Sequence, residues 1–250
     1  MATMHQGESV QDIINIASTA EALAVSLLGA ALAHKGDYVL PDGTKGLSPA
    51  LAAILRGAQA EEKAHYDFLV SAGAKPLTLT FNIPDPKLAS DYKPLFSTIE
   101  SLESAFIAAY MAAAREFAVM KQPDLVKVAL QTGGVECEHR VLARVALGEN
   151  PPNNLGFEVP MFNTVGDAAA ALQKLGFIGG TGAVIHFNDF AGTVDNTGVE
   201  NLQPGGVKAS LPSQAMPATL PHTGGPSIVP VVAIGAGLAA LGLGSRKATS

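Results

Sequence analysis

The chain has 250 residues, 48% of them hydrophobic and 15% charged, so it can bury a sizeable core. The formal net charge is −6 and the sequence has no basic cluster, which argues against a nucleic-acid partner. The single cysteine, Cys137, excludes an internal disulfide and a thiolate metal cluster, so any bound metal must take carboxylate and imidazole ligands. Residues 1–10 contain no Lys or Arg and do not predict a secretory signal.

Five stretches of the chain show the apolar periodicity of amphipathic helices. They span about residues 9–34, 48–72, 95–121, 123–148 and 165–175. Ser48 followed by Pro49 is typical of a helix start, because serine caps the helix and proline suits its first turn. The breaker-rich residues 35–46 predict a loop or a short hairpin, and residues 75–94, with four prolines, predict a long crossover connection.

This order of elements places two long helices on each side of a long connection. It predicts an all-α domain, a four-helix bundle with one crossover connection and a short fifth helix. We expect the bundle to span residues 9–178. Residues 179–219 show little regularity and predict an irregular extension and linker, and residues 220–250 form a distinct C-terminal segment.

Four glutamates interrupt the apolar stripes of the four long helices: Glu21, Glu62, Glu103 and Glu136. Burying a carboxylate without a partner costs several kcal/mol, so each glutamate needs a cation or a hydrogen-bond network. Two of these glutamates begin Glu-x-x-His motifs, which end at His65 and His139. A spacing of three residues places both side chains of a motif on one helical face, where both can reach the same point.

Carboxylate oxygens together with imidazole nitrogens suit iron and manganese, and zinc less distinctively. The chain order is Glu, Glu-x-x-His, Glu, Glu-x-x-His, one element per helix, which is the ligand set of di-iron and di-manganese bundles. Three neighbouring glutamates compete for these positions: Glu61 with Glu62, Glu100 with Glu103, and Glu138 with Glu136. We expect the competitors on solvated faces. Tyr66 and Tyr110 lie beside the predicted ligands, either as hydrogen-bond donors or radical relays, or, as is commoner, as core residues.

With this motif order the sequence resembles the ferritin-like superfamily, and more narrowly the bacterial ferritin-like domain proteins related to plant desiccation-related proteins. The resemblance covers about residues 9–178 and implies a ferritin-like bundle that holds two iron ions, or alternatively manganese. It also implies the role of each ligand. By this resemblance, Glu62 and Glu136 would bridge the two metals. Glu21 and Glu103 would each bind one metal, and His65 and His139 would each supply one nitrogen ligand.

Ferritin-like proteins oxidise ferrous iron, activate oxygen or disproportionate peroxide. The resemblance therefore implies a di-metal oxidoreductase that acts on oxygen, peroxide or ferrous iron in a stress-related protein. The sequence does not choose among these reactions. The alternative is a non-catalytic ferritin-like protein with a structural or protective role at the cell surface.

The C-terminal segment has three parts in order. Leu220-Pro-His-Thr-Gly224 is followed by an apolar stretch over about residues 228–244 and by the basic pair Arg246 and Lys247. This order resembles a cell-wall sorting signal, in which a sortase-type transpeptidase cleaves between the threonine and the glycine, here Thr223 and Gly224. It predicts a protein anchored to the membrane or cell wall through its C-terminus. Because the N-terminus shows no export signal, a cytoplasmic protein is the alternative.

Overall fold

The computed structural model describes residues 7–205. The elements within this range are α1 (Val10–Ala33), α2 (Pro49–Ser71), β1 (Thr80–Ile83), a 3-10 helix (Pro86–Ala89), α3 (Tyr92–Val119), α4 (Pro123–Leu147), α5 (Val165–Lys174), β2 (Ala183–His186) and α6 (Phe187–Phe190). The predicted all-α bundle with one long crossover connection and a short fifth helix is confirmed. The predicted sorting signal lies outside the described residues.

Side-chain caps fix where several helices begin and end. The Ser9 hydroxyl accepts a hydrogen bond from the Asp12 N–H at 3.1 Å, and the Asp12 carboxylate accepts one from the Ser9 N–H, which forms a reciprocal cap on α1. Thr164 caps α5 in the same way, and Ser48 caps α2. Gly148 ends α4 in the left-handed conformation, with φ 74°.

The four long helices pack as two pairs, α1 with α2 and α3 with α4, and the pairs meet through α1–α3 and α2–α4 contacts. The connection between α3 and α4 covers only residues 120–122, so these two helices are antiparallel neighbours, and the loop over residues 34–48 brings α2 back along α1. Buried apolar side chains such as Leu23, Leu55 and Phe96 fill the interior. Among the described residues, α1 is the one helix long and apolar enough to cross a membrane, but 67% of its apolar window is buried inside the bundle.

The connection between α1 and α2 is the predicted loop with a short hairpin element. Val39 and Lys45 form an isolated antiparallel bridge. Tyr38 is fully buried, and its hydroxyl donates to the Leu88 carbonyl oxygen at 2.8 Å. This hydrogen bond attaches the loop to the crossover connection.

The extension after residue 178 is more regular than the sequence predicts. Strand β2 pairs antiparallel with β1 of the crossover connection, with Thr80 opposite His186. Phe187 is buried, and its ring lies 4.4 Å from that of Tyr66, centroid to centroid. Gly182 lets β2 lie close to β1, because a Cβ at this position would clash with the Ile83 carbonyl oxygen. Phe187 therefore belongs to the core of the bundle, with Ile185, Ala191 and Val194 packed against it, and the domain bounds at residues 178 and 219 stay a prediction.

Candidate metal centre

The structure brings all six predicted ligands together in the middle of the bundle. One comes from α1, two from α2, one from α3 and two from α4: Glu21, Glu62 and His65, Glu103, and Glu136 and His139. They form two overlapping quartets, and within each quartet the ligand atoms all lie within 4.8 Å of one another. The first quartet is Glu21, Glu62, His65 and Glu136, and the second is Glu62, Glu103, Glu136 and His139. That these residues bind metal remains a prediction.

The two shared glutamates each divide their oxygens between the quartets. Glu62 presents Oε2 to His65 Nδ1 at 3.5 Å and Oε1 to His139 Nδ1 at 3.2 Å. Glu136 presents Oε1 to His65 Nδ1 at 3.5 Å and Oε2 to His139 Nδ1 at 3.1 Å. Each carboxylate thus spans the two halves of the cluster, which is the geometry that a bridging ligand requires.

The two outer glutamates each belong to one half. Glu21 Oε2 lies 3.5 Å from His65 Nδ1, and Glu103 Oε2 lies 3.9 Å from His139 Nδ1. The four glutamates have between 0% and 2% of their surface exposed. His139 is equally buried, whereas the His65 side chain is 14% exposed. The half that contains His65 is therefore the one closer to solvent.

The three competing glutamates all lie outside the quartets. Glu138 is exposed, as expected. Glu100 is half-buried and forms an ion pair with Arg144 Nη1 at 2.5 Å. Glu61 differs from the prediction, because its Oε2 lies 2.6 Å from the outer nitrogen, Nε2, of His139. Glu61 is thus a partner of a predicted ligand and only partly solvated, since its side chain reaches across from α2 to α4 and is 34% exposed.

The cluster contains more buried polar atoms than it can satisfy by itself. Within the described residues, six atoms of the cluster are buried without a hydrogen-bond partner: Glu21 Oε2, both carboxylate oxygens of Glu62, His65 Nδ1, Glu103 Oε2 and Glu136 Oε1. Each such atom costs about 1–3 kcal/mol when it stays unsatisfied. Oxygen and nitrogen donors that converge in this way fit divalent metal ions.

The two outer carboxyls hold their protons more firmly than an ordinary glutamate does. Burial and the neighbouring Glu62 carboxylate raise the pKa of Glu21 to about 8. The same two causes raise the pKa of Glu103 well above its usual range. Glu21 is therefore mostly protonated at neutral pH while no cation is bound, and Glu103 favours its protonated form more than an ordinary glutamate does.

The pKa of the two central carboxyls is lowered, whereas the pKa of the two imidazoles is raised. Burial and a neighbouring carboxylate raise the pKa of Glu62 and of Glu136, but the close approach of both histidines outweighs them and lowers the pKa of both carboxyls. Burial lowers the pKa of His65 and His139, but the surrounding carboxylates raise the pKa of both rings well above the usual value. Protons thus offset the negative charge of the glutamates, and a metal ion must displace them to bind.

The two tyrosines have different positions. The Tyr110 hydroxyl donates a hydrogen bond to Glu21 Oε1, and burial together with Glu21 raises the pKa of this phenol well above its usual value. Tyr66 instead packs its ring on Phe187 in the core. Tyr110 is therefore the hydrogen-bond donor to the cluster, and Tyr66 is a core residue.

The fold and the cluster define a class, a four-helix bundle with a buried carboxylate and histidine centre. The family model of the ferritin-like domain matches residues 9–149, which is more than half of the chain. The chain therefore belongs to the ferritin-like domain family, and this part of the predicted resemblance is confirmed. No curated protein and no solved structure matches the chain. The narrower likeness to desiccation-related proteins stays a prediction.

Proposed function

We propose that the bundle binds two iron ions and acts as an oxidoreductase on dioxygen, peroxide or ferrous iron. The observation that carries this proposal is the placement of Glu62 and Glu136, each of which offers one oxygen to each half of the cluster. That geometry supports two adjoining metal sites that share these two carboxylates. Glu21 and His65 would complete one site, and Glu103 and His139 the other.

The charge and the chemistry of the donors support the same proposal. Four ionised glutamates balance the charge of two divalent cations when both imidazoles are neutral. Carboxylate and imidazole donors favour iron, with manganese as the alternative. A pair of such ions supplies two electrons together to dioxygen or peroxide.

The protein's own residues prepare the centre for this chemistry. The four glutamates are nearly inaccessible to water, so charges in the centre are weakly screened. Tyr110 fixes one oxygen of Glu21, and Glu61 fixes the ring of His139 through its outer nitrogen. These hydrogen bonds hold the ligands in place before a metal arrives.

Elemental analysis of protein expressed in iron-supplemented minimal medium tests the proposal. We expect two iron ions per chain in the wild type and loss of both in the Glu62→Ala/Glu136→Ala variant. Glu138→Ala, an exposed position on α4, is the matched control and should keep its iron. Equal iron in the double variant and the wild type would contradict the proposal. A folded wild type without metal and without oxidase, catalase or ferroxidase activity would favour the structural or protective alternative.

We further propose that the protein is anchored at the cell surface through residues 220–250 and serves a stress-related role there. The order of pentapeptide, apolar stretch and basic pair supports this proposal. Cell fractionation of the full-length chain and of a chain that ends at residue 219 tests it. We expect the full-length chain in the envelope fraction and the shortened chain outside it. A full-length chain found wholly in the cytosol would remove the anchoring proposal.

A further inference from the structure

A small apolar cavity lies between α1, α3 and α5, and we refer to it as the alanine-lined cavity. Seven of its twelve lining residues are alanines, among them Ala17 on α1, Ala109 on α3 and Ala168 on α5. Its volume is about 30 Å³, which is room for one very small molecule. The cavity exists because alanines occupy positions where larger apolar side chains would close the space between the three helices.

The cavity adjoins the candidate metal centre through a single side chain. Tyr110 lines the cavity, and its hydroxyl donates to Glu21 Oε1 in the cluster. Tyr110 also has the one polar side chain among the twelve lining residues, and its polar atom is already engaged. A molecule in the cavity would therefore lie one tyrosine away from Glu21 and would find no free hydrogen-bonding group in the lining side chains.

Helix α5 forms the outer wall of this cavity, and buried contacts hold the start of the helix. Val165, Ala168 and Leu172 contribute to the lining. The Gly166 N–H donates to Glu8 Oε1 at 2.7 Å, and the Val165 N–H donates to Glu116 Oε2 at 3.2 Å. The four long helices alone would leave this side of the cavity open, so α5 gives it a wall.

We propose that the alanine-lined cavity is a binding and entry site for dioxygen. The inference rests on the proposed function and deepens it, because it selects one of the three candidate substrates. Dioxygen is small and apolar, and it gives up no hydrogen bonds when it leaves water. Peroxide and ferrous iron would lose part of their hydration in a cavity whose lining side chains offer no free hydrogen-bonding partner, which disfavours their entry. The cavity is partly open to solvent at Ala17, Ala20 and Ala109, which gives dioxygen a way in, and apolar cavities take up small apolar molecules such as xenon.

Xenon binding to the metal-free protein, followed by xenon NMR and by diffraction from xenon-pressurised crystals, tests the cavity itself. We expect one xenon atom beside Tyr110 in the wild type. Ala109→Val fills part of the cavity and should abolish this site, as should Ala168→Val from the opposite wall. Ala53→Val, at an exposed position on α2, is the matched control and should retain it. Thermal melts of all variants confirm that they fold, and the two cavity variants substitute for each other if one does not.

Stopped-flow oxidation of the iron-loaded, reduced protein tests the choice of substrate. We expect Ala109→Val to slow oxidation by dioxygen about tenfold, the smallest effect usual for a methylene-sized change in an apolar pocket, and to leave oxidation by peroxide unchanged. Equal slowing of both reactions, or no xenon in the wild type, would overturn the inference. A chain that binds xenon but no iron would refute the proposed function, and with it dioxygen delivery to a metal centre, while the xenon result would still establish a gas-binding cavity.

Discussion

The two central glutamates differ from the outer pair in how their oxygens are placed. Glu62 and Glu136 face both histidines, whereas Glu21 and Glu103 each face one. The difference follows from the helix on which each residue lies, since both central glutamates belong to Glu-x-x-His motifs that face each other across the bundle. At the scale of single residues, the candidate metal centre therefore consists of two half-sites that share Glu62 and Glu136.

Glu61 should strengthen metal binding although it lies outside both quartets. Its carboxylate accepts from the outer nitrogen of His139 and so directs Nδ1 toward the cluster. We predict that Glu61→Ala weakens binding of one of the two metals by about 10- to 100-fold, the usual effect of losing such a partner. Competitive titration against a chelator measures this change. Glu138→Ala should have no effect, and equal affinities in the wild type and Glu61→Ala would contradict the assigned role.

Metal uptake should release protons near neutral pH. The pKa of Glu21 is raised to about 8 and the pKa of both histidines is raised well above the usual value, so these groups carry protons that a metal must displace. Apparent affinity should fall as the pH is lowered, because more protons compete for the ligands. Calorimetric titration in buffers of different ionisation enthalpy measures the protons released. A binding heat that does not depend on the buffer would show this prediction to be wrong.

At the scale of elements, the start of α5 depends on two carboxyls that repel each other. Burial and the neighbouring Glu116 raise the pKa of Glu8 from 4.5 to about 7, and burial raises the pKa of Glu116 as well. Asp167 in the same turn adds a further negative charge. Both glutamates nevertheless accept from the first N–H groups of α5. The helix is therefore held best when Glu8 is protonated.

This arrangement makes the stability of the fold depend on pH. Because the folded-state pKa of Glu8 is raised, its contribution to stability is complete below pH 4.5 and is lost as the pH rises through about 7. Glu8→Gln keeps the acceptor for the Gly166 N–H and removes the charge. We predict that the variant is about 1 kcal/mol more stable than the wild type at pH 8, after allowance for solvent screening, and equally stable at pH 4. Thermal melts at the two pH values measure this, and a wild type that is the more stable at pH 8 would refute it.

The short elements after residue 178 belong to the bundle because Phe187 is part of its core. The ring is 5% exposed and packs on Tyr66. We predict that Phe187→Ala lowers the free energy of unfolding by about 3 kcal/mol, the usual cost of truncating a buried phenylalanine. Phe157→Ala is the control, since that ring is 94% exposed and its loss should cost little. Denaturant unfolding measures both changes, and equal effects would contradict the placement of Phe187.

At the scale of the whole molecule, the sequence predicts what depends on periodicity within one helix. The apolar stripes predict the four long helices, and the interruptions at Glu21, Glu62, Glu103 and Glu136 predict the side chains that the structure brings together. Contacts between segments that are far apart in the sequence are harder to predict, because they produce no periodic pattern within either segment. Strands β1 and β2 have four residues each and pair across about a hundred residues, so neither predicts the other.

The role of Glu61 and the alanine-lined cavity both depend on contacts between residues that are far apart in the sequence, so the sequence does not predict them. Glu61 and Glu62 are adjacent on one helix, and periodicity predicts only that one of them faces the core. That Glu61 reaches His139 depends on how closely α2 and α4 approach each other. The cavity depends on where α5 lies, and ten residues of helical periodicity do not fix that position.

Anomalous diffraction at the iron edge, from crystals of the iron-loaded protein, tests the central claim most directly. The proposal predicts two anomalous peaks inside the bundle, both in contact with Glu62 and Glu136, one beside His65 and the other beside His139. Crystals of the Glu62→Ala/Glu136→Ala variant should show neither peak. A wild-type bundle without anomalous signal in the cluster, or with iron at other residues, would contradict the claim.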